Sequence, residues 1–217
     1  MIRYSRTEDN WNAATHAVGA VGGAVVLAMM LARTIAAGNV AATIGMALYA
    51  AGMLASYGAS TVYHAWPATR SAVRERLRII DHAAIYWHIA GSYAAFTLPS
   101  LPCTGRWGAG LLAFVATAAA VGTVVSFRGL REHSHIETVC FCLMGLSVLA
   151  VFPVFVGCVS AATVGWLLAE GVGYIGGAVV YALSHNRPYV HTVFHVCVLA
   201  GSACHIMALW HLLADYL

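Results

Sequence analysis

The chain has 217 residues, 61% of them apolar and 9% charged, with a mean hydropathy of +0.78. That balance excludes a water-soluble domain and describes a polytopic membrane protein. The net charge of +3 comes from eleven arginines, with no lysine, against eight acids, too modest and too dispersed a surplus for a nucleic-acid binder.

Roughly 20 apolar residues cross a bilayer, and the chain divides into seven such stretches. The first, Ala13 to Ala32, follows Arg3 and Arg6 and has the outline of a signal peptide. Glu8, Asp9, Asn12 and His16 interrupt that outline, and the run is long enough for a full span. The others are Ala41 to Ala65, Ile79 to Leu98, Trp107 to Phe127, Ile136 to Val156, Ala161 to Leu183 and Val190 to Leu213. Short turns join them, among them Trp66-Pro67, Pro99 to Arg106 and His185 to Pro188. The expected fold is an all-α membrane protein, a single seven-transmembrane helix bundle over residues 1–217.

Arginines accumulate on the cytoplasmic side of membrane proteins. With a cytoplasmic N-terminus, Arg3, Arg6, Arg70, Arg74, Arg76, Arg78, Arg128, Arg131 and Arg187 fall inside, and Arg33 and Arg106 outside. This asymmetry selects a cytoplasmic N-terminus and an external C-terminus. The glycine runs Gly19 to Gly23 and Gly171 to Gly177 lie inside spans and read as helix contacts. The six cysteines show no CxxC spacing and read as small packing residues.

Orientation converts position along the chain into depth. Ser60 and His64 end the second span at the inner face, Asp81 begins the third, and His191 and His195 begin the seventh. Asn12 and His16 begin the first. Asn12/His16, Ser60/His64 and His191/His195 are each four apart, so each pair shares one helix face. Ionisable groups at this depth are costly unless they turn inward and meet partners. Three imidazoles with an open fourth position describe a catalytic zinc site. We assign His64, His191 and His195 as zinc ligands with water fourth, Asp81 to hold or deprotonate that water, and Ser60 to a supporting hydrogen bond. His205, about 21 Å along a helix from His191, cannot join the same ion. Glu170 is an unexplained acid in mid-span, with His88 as its expected partner. His133, His135 and His185 fall in loops.

These residues resemble the bacterial hemolysin III family, which shares a superfamily with the progestin and adiponectin receptors and the alkaline ceramidases. The resemblance rests on Glu8-x3-Asn12-x3-His16 with Gly19, Ser60-Thr-Val-Tyr-His64, and Asp81-His82-Ala-Ala-Ile85 leading to Ile89-Ala-Gly91-Ser-Tyr93. It continues through Tyr174-Ile-Gly176 to Tyr181 and His191-x3-His195 to Gly201-Ser202-x2-His205. It implies seven helices, a cytoplasmic N-terminus, zinc near the cytoplasmic face on His64, His191 and His195, and Asp81 and Ser60 as site residues. The chain departs from the family pattern at Ala94-Ala95, where Thr-Pro is usual, at His88, usually apolar, and at Glu170, usually Gly. Those departures bear on cavity shape rather than on zinc.

Two functions fit. One is a zinc-dependent hydrolase of lipid amides or esters, its substrate entering from the bilayer; kinship with ceramidases points to an amide. The alternative is a non-enzymatic sensor or regulator of the membrane with structural zinc. A pore-forming toxin is disfavoured, because no water-soluble form fits this hydropathy. A bis-histidine haem protein would reveal itself by a Soret band. Membrane lipids are the expected substrate or ligand, and the expected location is the bacterial cytoplasmic membrane.

Overall fold

The computed structural model describes residues 4–129, 136–183 and 187–217; Arg3, Arg131, His133, His135 and His185 lie outside the described residues. Among the described residues there is no strand, and six helices are long and apolar enough to cross a membrane. The first, α1 (Arg6–Ala36), starts earlier than its apolar run because Ser5 and Glu8 form a capping box: Ser5 Oγ accepts the Glu8 N–H and Glu8 accepts the Ser5 N–H. The early start brings Glu8, Asp9, Asn12 and His16 onto one buried helical face. A tight turn at Gly38 (φ +67°) leads into α2 (Val40–Ala65), capped by Asn39.

Next comes α3 (Ser71–Gly129), 59 residues containing Pro99 and Pro102 and broken only at Gly105 (φ +53°, ψ −132°). The turn expected over Pro99 to Arg106 is therefore confined to one glycine. Around the prolines Thr97, Ser100 and Thr104 each donate to the carbonyl one turn back, which satisfies these buried hydroxyls inside the helix. Beyond the break the chain folds back. Trp87 Nε1 donates to Thr123 Oγ1 at 3.0 Å, although the two are 36 residues apart, about 54 Å along a straight helix. Tyr86, Ala90 and Tyr93 pack against Leu111, Val115 and Ala119 across the fold.

The span expected over Ile136 to Val156 is divided into α4 (Ile136–Leu146), a 3-10 turn (Ser147–Val151) and α5 (Phe152–Val156). Pro153 withholds one N–H from the helical ladder. The Tyr93 hydroxyl sits at the earlier break, between α4 and the 3-10 turn, where it shares its proton between the Met144 and Gly145 carbonyls and accepts the Val148 N–H. The chain ends with α6 (Ala161–Leu183) and α7 (Val190–Tyr216). The main core lies among α1, α2, α3 and α7, around Met46, Tyr49, Met53, Tyr57 and Leu209. Large apolar side chains such as Val18, Val25, Leu168 and Val172 point outward, as a lipid-facing surface requires.

The cysteine reading is corrected in one respect. Cys103 and Cys158 form a disulfide with Cα atoms 5.8 Å apart, while Cys140, Cys142, Cys197 and Cys204 are free. The bond ties the end of α3's first half to the α5–α6 turn, a pairing across 55 residues that spacing could not reveal. The Cys103→Ser/Cys158→Ser protein is expected to lose about 2–4 kcal/mol of stability. Thermal unfolding in detergent checks this: dithiothreitol should lower the wild-type midpoint to that of the variant and leave the variant unchanged.

Candidate metal centre

Three helix ends build the centre. His64 comes from the last turn of α2, and His191 and His195 from the first turns of α7; one ligand atom from each lies within 4.8 Å of the others, and all three side chains are buried. The nearest pair, His191 Nε2 and His195 Nε2, is 3.1 Å apart. Two nitrogens on a tetrahedral zinc, each about 2.0–2.1 Å from it, would stand about 3.3 Å apart.

The start of α1 orients two of these rings. His64 Nδ1 faces Asp9 Oδ1 at 3.0 Å, which places the proton on Nδ1 and leaves the buried Nε2 as a lone-pair donor with no partner among the described residues. His195 Nδ1 faces the Asn12 carbonyl at 3.1 Å and so turns its own Nε2 toward His191. Asp9 is itself fixed by Arg74, whose Nη2 reaches Oδ1 at 2.7 Å and Oδ2 at 2.8 Å while Nη1 donates to the Trp66 carbonyl at 2.6 Å. All four groups are almost fully enclosed, with Asp9 and Arg74 each 3% exposed. An orphaned imidazole nitrogen beside two more, each with a supporting acceptor or a free ring nitrogen, is the donor set a borderline cation such as zinc takes.

The sequence-assigned residues fall as follows. His64, His191 and His195 meet. Ser60 is buried and is the hydrogen-bond partner of Asp81, whose carboxylate has His82, His64 and Arg78 within electrostatic reach. Asp81 thus lies beside the histidines and outside the ligand group. His16 stacks on His195 with ring centroids 3.7 Å apart and planes 5° from parallel. Lone pairs lie in the ring planes, so parallel rings cannot aim theirs at one ion, and His16 is no fourth ligand. The expected Glu170–His88 pairing is corrected: Glu170 Oε2 stands 2.9 Å from His205 Nδ1. The cause is the close approach of α6 to α7, where a Cβ on Gly173 would meet the Gly201 backbone at 2.9 Å.

Sequence reasoning missed Asp9, Arg74 and Tyr4. The signal for Asp9 was present, since Glu8/Asp9, Asn12 and His16 recur at helical spacing. Arg74 looked like any cytoplasmic arginine. Tyr4, just ahead of α1, stacks on His191 at 4.9 Å and leans on His64 at 5.6 Å, covering the cluster. Burial, with Tyr63 and Tyr181 nearby, pushes its phenol far above the usual tyrosine range, so the hydroxyl stays a neutral donor. A further tie runs behind Asp81: His82 Nδ1 meets Glu137 Oε2 at 2.6 Å, and Ser126 donates to the other Glu137 oxygen.

Membrane-length helices enclosing a buried three-histidine group at the ends of α2 and α7 define the class: an integral helical membrane protein with a candidate internal metal centre. The family model described as "Haemolysin-III related" matches residues 4–206. Hemolysin-3 of Bacillus cereus is 32% identical over 197 residues, 90% of this chain and 87% of that one. The Hemolysin-3 homolog of Bacillus subtilis (strain 168) is 30% identical over 197 residues, 90% of each. The human Monocyte to macrophage differentiation factor is 28% identical over 172 residues, 75% of this chain and 68% of its own. The chain belongs to the haemolysin III family and is an integral protein of the bacterial cytoplasmic membrane.

Proposed function

We propose that this protein is a zinc-dependent hydrolase of lipid amides or esters, working near the cytoplasmic face of a seven-crossing bundle. The single observation that carries the reading is the His64 Nε2 lone pair, buried, unpartnered and set beside His191 and His195 by Asp9. The fold-back at Gly105 supports counting α3 as two crossings. The arginine count supports a cytoplasmic N-terminus. Cys103 and Cys158 then fall on the outer side, the compartment in which disulfides persist.

His64, His191 and His195 would hold the ion. Zinc, when bound, supplies Lewis acidity toward a substrate carbonyl and makes a water acidic near neutral pH. The chain's own groups do the rest. The Asp81 carboxylate takes a proton from the attacking water and returns it to the departing amine or alcohol. Ser60 fixes that carboxylate's orientation through its hydroxyl. Asp9 and Asn12 keep the ring protons of His64 and His195 on Nδ1, away from the ligand nitrogens.

The test combines elemental analysis of the purified protein with turnover of a panel of lipid amides and esters. Asp81→Asn should retain the metal and lose about 10²–10⁴-fold in turnover, the usual contribution of a general acid–base group. A wild-type protein that carries zinc and turns over nothing would sink the hydrolase reading. That outcome favours the second reading, a membrane sensor or regulator with structural zinc. Its motivation is the way the cluster joins α1, α2 and α7 beneath Tyr4. Under it, Asp81→Asn keeps full function in the cell.

A further inference from the structure

A second group of ionisable side chains lies deeper in the bundle and takes no part in the metal centre. Glu170 is in the middle of α6, and His205 is ten residues beyond His195 on α7, about 15 Å further along the helix. Their 2.9 Å approach is short enough for an ion pair yet misaligned for a hydrogen bond, so Glu170 Oε2 and His205 Nδ1 both keep unused capacity. Tyr49 of α2 lies against His205, ring centroids 4.5 Å apart, and against His88 of α3 at 5.7 Å. Tyr49 is 0% exposed, His205 1% and His88 7%. The Tyr49 hydroxyl, His88 Nε2 and His205 Nε2 have no hydrogen-bond partner among the described residues.

We propose that Glu170 and His205 form an intramembrane proton-binding site, with Tyr49 and His88 as the groups that pass its proton on. A lone carboxylate inside a membrane bundle is costly, and intramembrane acids are held by a partner or mark a proton or ion pathway. His205 is the one ion-pair partner of Glu170 among the described residues. A carboxyl and an imidazole sharing one proton are neutral overall, whether as acid and neutral ring or as carboxylate and imidazolium; removing that proton leaves one uncompensated negative charge. The site therefore takes one proton.

The other titratable groups in reach are the phenols of Tyr49 and Tyr57 from α2, Tyr93 from α3 and Tyr174 from α6, and the imidazole of His16 from α1, which stacks on Tyr57 at 4.8 Å and lies within electrostatic reach of His88. Tyr57 and Tyr174 both bond Ser202 Oγ, at 2.6 and 2.7 Å, and the Tyr57 ring meets His88 edge-on at 5.5 Å. Rings that carry exchangeable protons are thus in contact from His205 through Tyr49 and His88 to Tyr57, with no direct hydrogen bond joining the Tyr49, His88 and His205 polar atoms among the described residues. A proton is favoured over a metal ion because His88, His205 and Glu170 do not form a metal-spaced group as the three site histidines do.

Infrared titration of the full-length protein in lipid nanodiscs tests the proposal without any substrate. As pH rises, the wild type should lose a protonated-carboxyl stretch or an imidazolium ring band, according to which partner holds the shared proton, and release one proton more per chain than Glu170→Gln, which should lack that band. Tyr49→Phe and His88→Phe should keep the band and move its midpoint by about one pH unit, tenfold in proton affinity. If Glu170→Gln does not purify as a monodisperse protein, Glu170→Asp carries the same assignment by shifting the band. The proposal is overturned if the band survives in Glu170→Gln, if wild type and Glu170→Gln release the same number of protons, or if Glu170→Gln removes a second equivalent of bound metal.

Discussion

His64→Ala protein is expected to purify folded and without stoichiometric metal. His64 supplies the ligand from α2, so its loss leaves only the two α7 imidazoles. Removing an outer hydrogen-bond partner of a metal ligand typically costs 10–100-fold in affinity, and removing the ligand itself should exceed about 100-fold on the same scale. The fold should tolerate the change. Arg74 still contacts both Asp9 oxygens, so no buried charge is stranded, and the cavity costs about 2–4 kcal/mol. His16→Ala provides the contrast. That ring is equally buried and stacks on His195, but its nitrogens point in a parallel plane, so the variant should keep its metal. Elemental analysis of the three proteins, purified side by side with trace zinc, decides: a His64→Ala protein as metal-rich as wild type would remove His64 from the ligand set.

Asp9→Asn should damage both stability and the centre, through two separable effects. The carboxylate neutralises Arg74, which is 3% exposed, and breaking a buried ion pair from one side costs about 3–5 kcal/mol. It also accepts the His64 Nδ1 proton; an amide can turn its NH₂ toward that nitrogen and pull the proton to Nε2, the ligand atom. Metal affinity should then fall about 10–100-fold. Adding Arg74→Met separates the effects. With both charges gone the double variant should regain most of the stability, because an ion pair replaced by apolar groups is often neutral in cost, while the metal affinity stays low. Thermal unfolding and competition with a chelating dye measure the two quantities. Equal recovery of both would show that Asp9 acts through fold stability alone and does not orient His64.

Residence in the membrane was legible from composition, and the meeting of His64, His191 and His195 from their shared place at span ends. Both depend on a quantity that adds along a chain, hydrophobic length. His64, Asp81, His191 and His195 could be grouped because each lies at a span end, where depth is known without knowing which helices are neighbours. Asp9 shared the helical spacing of Asn12 and His16, yet its role needed the capping box that starts α1 at Arg6.

By itself, then, the sequence determined the class of protein and the three histidines able to share an ion. The tertiary structure decided which residues pair. It set Arg74 behind Asp9, His205 rather than His88 against Glu170, and Cys103 on Cys158. The physical reason lies in the solvent. Lipid is as apolar as the helix surface, so burial selects neither neighbour nor rotation; close approach at small residues and hydrogen bonds across helices do. Gly173 against Gly201 is a choice of that kind. Hydrophobic periodicity records that a helix crosses, and the pairing of helices is written in contacts between residues far apart in the chain.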